Sequence, residues 1–152
     1  MSINKSISGP QDAEAIIFWA ASPDGRVPEP CTDGLGSETA GRSAADVADT
    51  VAAAPGTELV RGPLDVTLDG RGAKHVVLTV REENGCDPGF FYSWEDAGVG
   101  ALWTTTRVGD SIRVWIADVG DTRLFIEAET STDSDRQLER EVEQIVESIR
   151  FG

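Results

Sequence analysis

Apolar and polar positions alternate with period two over several stretches and recur at helical spacing over two others, and these patterns divide the chain into elements. Ala15-Ile16-Ile17-Phe18-Trp19-Ala20 is a short run of apolar, β-branched and aromatic residues, which predicts a buried strand. It stops at Ser22-Pro23-Asp24-Gly25, with proline second and glycine fourth, as a turn accepts them. Val27 to Gly41 is rich in Pro and Gly and reads as a loop holding Cys31. Ser43-Ala44-Ala45-Asp46 has the form of a capping box, with the Ser43 hydroxyl accepting from a first-turn N–H and Asp46 reaching back. The helix it opens carries Ala44, Val47, Ala48, Val51 and Ala52 on one side, runs to about Ala54 and stops at Pro55-Gly56.

Leu64, Val66 and Leu68 alternate with polar residues and predict a strand, turned by Asp69-Gly70-Arg71-Gly72 into a second strand over Ala73 to Val80. In that second strand Lys74, Val76, Leu78 and Val80 share one face, with His75, Val77 and Thr79 on the other. Phe90 to Trp94 and Leu102 to Arg107 read as further strands. Ser111 to Ile116 and Thr122 to Ala128 form the clearest hairpin, joined around Asp118-Val119-Gly120-Asp121. A last helix starts at Ser134, with Gln137 completing a capping box, and Leu138, Val142, Ile145, Val146 and Ile149 make its apolar stripe. Arg136/Glu139, Arg140/Glu143 and Glu147/Arg150 fall at (i, i+3) spacing on the solvated side. The order of elements gives an α+β fold, an antiparallel sheet covered by two helices, as a single domain over residues 1–152.

The central hairpin also carries the best lead to a binding surface. Ile112, Val114 and Ile116 face one way and group with Leu124, Ile126 and Ala128 into an apolar face suited to the core under the last helix. Arg113 and Trp115 face the other way, with Arg123, Phe125 and Glu127. A face combining aromatic rings with a few arginines is what an organic anion or a partner's side chain needs, so Trp94, Trp103, Arg113 and Trp115 are the candidate ligand-binding residues. The competing reading covers that face with the Ala-rich first helix and packs the Arg stems beside the rings.

Length and charge bound the function. A chain of 152 residues buries roughly 70% of its unfolded surface as one domain. No apolar stretch approaches the ~20 residues of a membrane span. With 27 acidic against 13 basic residues the formal charge is −14, which repels phosphate backbones and argues against a nucleic-acid partner. Met1-Ser2-Ile3-Asn4-Lys5 has neither the basic start nor the apolar run of a signal peptide.

The chain holds two cysteines, Cys31 and Cys86. No Cys-x-x-Cys is present, and two cysteines make a structural zinc site only with other ligands, which His75, the one histidine, has no neighbours to supply. The pair reads as a structural disulfide. On the chain-entropy account, closing so long a loop stabilises by roughly 4 kcal/mol. The competing reading is two free thiols in a cytosolic protein.

Signatures of catalysis are missing: no Gly-x-Ser-x-Gly, no His-Glu-x-x-His and no phosphate-binding Gly-x-x-x-x-Gly-Lys occurs. Glu95 and Asp96 are adjacent carboxylates beside Trp94, and with His75 they are the residues a small enzyme would use. Their simpler reading is two solvated loop acids and one histidine of a sheet. Asp118 and Asp121 flank a turn and serve its geometry rather than calcium. No metal or cofactor is expected.

The segments PGTELVRGPLDVTLDGRGAKHVVLTV, CDPGFFYSWED and GDSIRVWIADVGDTRLFIEAET, followed by QLEREVEQIVESIRF, resemble a family of uncharacterised exported actinobacterial proteins, over roughly Ala15 to Phe151. The arrangement is also similar to the PsbP-like α/β/α fold, used mostly for binding. The resemblance implies an extracytoplasmic domain, secreted or membrane-anchored, placed after a signal or anchor, so that Met1 opens a shortened form of a longer precursor. It also implies that Cys31 and Cys86 stand where these proteins place their cysteines. The expected function is a non-catalytic ligand-binding or protein-interaction domain of sensory or accessory kind. A small enzyme and a purely structural subunit are the alternatives.

Overall fold

A computed structural model of the chain describes the backbone of residues 2–4, 15–20, 26–28, 35–39, 43–54, 56–81, 91–96, 100–104, 108–134 and 136–152, with side chains in 43–54, 56–81, 108–134 and 136–152. Cys31 and Cys86 lie outside the described residues. In chain order the elements are β1 (Ser2–Asn4), β2 (Ala15–Ala20), β3 (Arg26–Pro28), β4 (Leu35–Thr39), α1 (Ala44–Ala52), β5 (Thr57–Leu68), β6 (Arg71–Val80), β7 (Phe91–Asp96), β8 (Gly100–Thr104), β9 (Ser111–Val119), β10 (Thr122–Thr130) and α2 (Arg136–Glu147). Six of the strands form one antiparallel sheet in the order β1-β2-β10-β9-β6-β5. β3 pairs with β4 and β7 with β8 in two separate ribbons. The β3–β4 ribbon stands in the stretch expected to be loop throughout.

Two tight turns set the registers that matter. Leu68 pairs with Arg71, leaving Asp69 and Gly70 as a two-residue loop with φ of 47° and 75°. Positive φ at both positions is the type I′ geometry that Asp-Gly favours. Val119 pairs with Thr122 around Gly120 and Asp121, with positive φ at Gly120 alone, as a type II′ turn requires.

An even-length loop sets even-numbered residues opposite odd-numbered ones, and this overturns the expected grouping of the β9–β10 faces. Ile116 pairs with Phe125, Trp115 with Ile126, Val114 with Glu127 and Arg113 with Ala128. Ile112, Val114, Ile116 and Phe125 therefore share one face, where they join Val76, Leu78 and Val80 of β6 and Val47, Ala48, Val51 and Ala54 in a closed core. The helix over that face is α1, not the last helix. Its short side chains let its axis approach the β-branched surface closely.

The opposite face carries Trp115, Ala117, Ile126 and Ala128, with Ala73 and Leu68, and α2 covers it through Val142 and Val146. The alanines of the strands leave room for the longer side chains of the helix, so layers interdigitate on both sides. One helix on each face of an antiparallel sheet is the α+β arrangement expected.

The helix starts differ in how well they follow their sequence signals. Both bonds of the Ser43/Asp46 capping box form, at 3.1 and 3.0 Å. The expected box at Ser134/Gln137 does not: the Ser134 N–H donates to the Ser131 carbonyl, and the Gln137 amide donates forward to Glu141. Among the described residues no helix is long and apolar enough to cross a membrane.

Candidate functional site

His75 and Trp115 are cross-strand partners on the α2 side of the sheet, and pairing brings their rings into a parallel stack with centroids 4.4 Å apart and planes 5° from parallel. Both are buried, at 6% and 5% exposure. They lie in the wall of a cavity of about 220 Å³, whose other walls are Arg61, Val66, Thr67 and Leu68 of β5 and Glu143 and Glu147 of α2. That volume falls below the roughly 300–1,000 Å³ of pockets for drug-sized ligands, so it suits a small molecule.

Two anchors hold α2 over the sheet at either end of this cavity. At the first, the buried Arg113 guanidinium donates to the Thr130 hydroxyl at 3.0 Å and pairs with Glu139 at 3.1 Å. At the second, just past the helix, the Phe151 N–H donates to the Asp69 carboxylate at 2.8 Å, in the β5–β6 turn. Between them α2 spans the gap to β5 and β6 without filling it. Glu139, Glu143 and Glu147 follow one another at (i, i+4) spacing, on one side of the helix. The first engages Arg113, and the next two reach the cavity.

The β5 side is shaped by a local break in the strand. The ladder between β5 and β6 shifts register on both sides of Arg61, and Gly62 there has φ of 99° before a cis bond to Pro63. A Cβ at Gly62 would collide with the His75 carbonyl oxygen. Glycine thus allows β5 to lie against the His75 backbone while Arg61, paired with Val77, stays on the α2 side.

The polar groups of the cavity have no partners within the described structure. His75 Nε2 is buried and makes no hydrogen bond. Arg61, Glu143 and Glu147 line the same space with no ion pair among the described residues, whereas Lys74–Asp65, Arg113–Glu139 and Arg123–Asp118 close at 2.6, 3.1 and 2.9 Å. Burial lowers the His75 pKa to about 4, helped by the nearby guanidinium charges of Arg61 and then Arg113. The imidazole is therefore neutral near neutral pH and adds no charge to the cavity wall.

The residues expected from sequence separate into two places. Arg113 and Trp115 belong to the α2 face, Trp115 in the cavity wall and Arg113 in the helix anchor beside it. Neither stands on an open face, and the helix that covers them is α2, not α1. Trp94 lies in β7 opposite Leu102, and Trp103 lies in β8 opposite Tyr92, in a ribbon whose ladder does not join the six-stranded sheet. Glu95 and Asp96 are in the same ribbon, opposite Ala101 and Gly100. The side chains of these four residues lie outside those described. Asp118 bonds Arg123 across the β9–β10 hairpin, consistent with a role in the turn.

Arg61, Glu143 and Glu147 were not anticipated as site residues. The fourfold spacing of Glu139, Glu143 and Glu147 was the available signal, and the (i, i+3) arginines nearby pointed it toward solvent instead. Among the described residues no group of three His, Cys, Asp or Glu side chains is placed to hold a metal ion. No protein-family model and no curated protein matches the chain.

Proposed function

We propose that this chain is a non-catalytic small-molecule-binding domain and that the cavity between α2 and strands β5, β6 and β9 is its site. The observation that carries the proposal is the convergence of Arg61, Glu143 and Glu147, which make no ion pair among the described residues, on one cavity walled by the His75–Trp115 stack. Trp115, stacked on the same imidazole, gives the pocket a rigid aromatic wall. Binding draws more support than a small enzyme using Glu95, Asp96 and His75, because an imidazole with a pKa of about 4 is a poor proton acceptor near neutrality. A purely structural subunit leaves the convergence of unpartnered groups on one cavity without a reason.

The test uses the one histidine as a reporter. Its imidazole nitrogen resonances are unambiguous in a nitrogen-15-labelled sample, and a library of metabolites, lipids and cell-wall fragments is titrated against them. A ligand that shifts the imidazole resonances, and that binds Arg61→Met or Glu143→Gln with altered affinity, supports the proposal. A library that leaves the resonance unmoved counts against it.

The proposal has the domain act outside the cytoplasm, as part of a secreted or anchored protein with the PsbP-like α/β/α arrangement. One helix on each face of the sheet is in keeping with that arrangement. The support for export is the resemblance noted from sequence and the two cysteines, read as a staple between Cys31 and Cys86. Thiol titration of the unfolded, unreduced protein is expected to find none. Two thiols would return the protein to a reducing compartment.

A further inference from the structure

The charges of the cavity narrow the class of ligand. Around its space stand one guanidinium, from Arg61, two carboxylates, from Glu143 and Glu147, and the uncharged imidazole of His75. Opposite charges exposed on one protein surface usually find each other when they are within reach, as Lys74 and Asp65 do at 2.6 Å. Here the guanidinium comes from β5 and the carboxylates from α2, on opposite sides of the gap that the helix spans. The two sides make no ion pair with one another, although both line the same 220 Å³. A ligand that satisfies this cavity brings a negative group to one wall and a positive group to the other.

We propose that the cavity takes a small zwitterion of amino-acid size. Its carboxylate meets Arg61, and its ammonium or quaternary amine sits by Glu143 and Glu147. A simple anion would satisfy Arg61 and leave two carboxylates facing it. A simple cation would satisfy the carboxylates and stand against Arg61. A zwitterion alone engages both walls. Its small size accords with the volume, and the flat face of the His75–Trp115 stack offers contact to its carbon skeleton. This rests on the cavity being a ligand site, and the experiment separates the two ideas.

The proteinogenic amino acids and glycine betaine are titrated as zwitterions against the protein, with the His75 imidazole resonance and calorimetry as readouts. Each amino acid is matched by its amide, which lacks the carboxylate charge, and by its N-acetyl form, which lacks the ammonium. At least one zwitterion is expected to bind, and each of its two singly charged analogues to bind more weakly. Arg61→Met is expected to weaken the zwitterion roughly tenfold or more and to strengthen the amide's binding, since it removes a like charge. Glu143→Gln with Glu147→Gln is expected to weaken the zwitterion similarly and to strengthen the N-acetyl form's binding, since it removes two like charges. All three side chains are exposed, so these variants keep the core intact. If singly charged compounds bind as well as the zwitterions or better, the inference about charge is overturned and the cavity remains a ligand site. If no compound of any charge class moves the His75 resonance, the inference and the site reading fall together.

Discussion

Replacing His75 by phenylalanine isolates the energetic cost of the unpartnered imidazole. Phenylalanine keeps a flat ring against Trp115 and has no nitrogen to satisfy. At about pH 8, where the imidazole is neutral in both folded and unfolded chains, the variant is expected to be at least as stable as the wild type, because an unsatisfied buried atom costs about 1–3 kcal/mol. Lowering the pH then widens the gap. The folded-state pKa of about 4 lies below the unfolded value of 6.5, so between these values the unfolded chain binds the proton more readily. Wild-type stability from this group is complete above 6.5 and is lost as pH falls toward 4. With those two values, the loss works out at about 2 kcal/mol by pH 5 and about 3 kcal/mol by pH 4, somewhat less where water enters through the cavity. Urea unfolding followed by tryptophan fluorescence, run on both proteins from about pH 8 to about pH 4, measures the difference directly. Carboxylate titrations common to both chains cancel in it. Parallel pH profiles, or a His75 resonance that titrates at its ordinary pKa, would refute the reasoning about burial.

Four further substitutions test how the site and the helices are held. Gly62→Ala adds strain at a φ of 99° and a clash with the His75 carbonyl, so it is expected to destabilise by about 2 kcal/mol or more and to shift the His75 resonance. Arg113→Met keeps the aliphatic stem and removes the bonds to Thr130 and Glu139, an expected loss of about 2 kcal/mol in urea unfolding. Glu139→Gln, on a side chain that is 41% exposed, is expected to cost under about 1 kcal/mol. Ser43→Ala removes the α1 cap and is expected to cost about 1 kcal/mol with no effect on the His75 resonance.

The sequence showed the elements more clearly than their pairing. Alternation at Val76, Leu78 and Val80 against His75, Val77 and Thr79 predicted the faces of β6, and the box at Ser43 and Asp46 predicted the start of α1. Those signals are local, and local geometry realises them. The length of β5 was hidden, because Gly62-Pro63 interrupts the alternation that a strand normally displays, and the strand passes through it by shifting register. The β9–β10 faces were misgrouped by one residue, and in a strand one residue exchanges the two faces completely. That slip moved the aromatic-and-arginine face from under α2 to under α1. It also hid the site, because the residues α2 contributes follow only once that helix is laid on the Trp115 side.

The two helices show why the cavity lies where it does. α1 closes its face with small and β-branched residues over the β6–β9 core. α2 is fixed at its first turn by Arg113 and Glu139 and, past its last, by Asp69, so it crosses the opposite face as a strut tied at both ends. Its buried Val142 and Val146 pack with Ile126 and Ala128, and its Glu143 and Glu147 line the cavity toward β5. An apolar residue at position 75 would complete the core there at less energetic expense than a histidine with an unbonded nitrogen. A histidine stands there instead, next to an arginine and two carboxylates that pair with nothing described, and the binding proposed for this cavity would give that arrangement a reason.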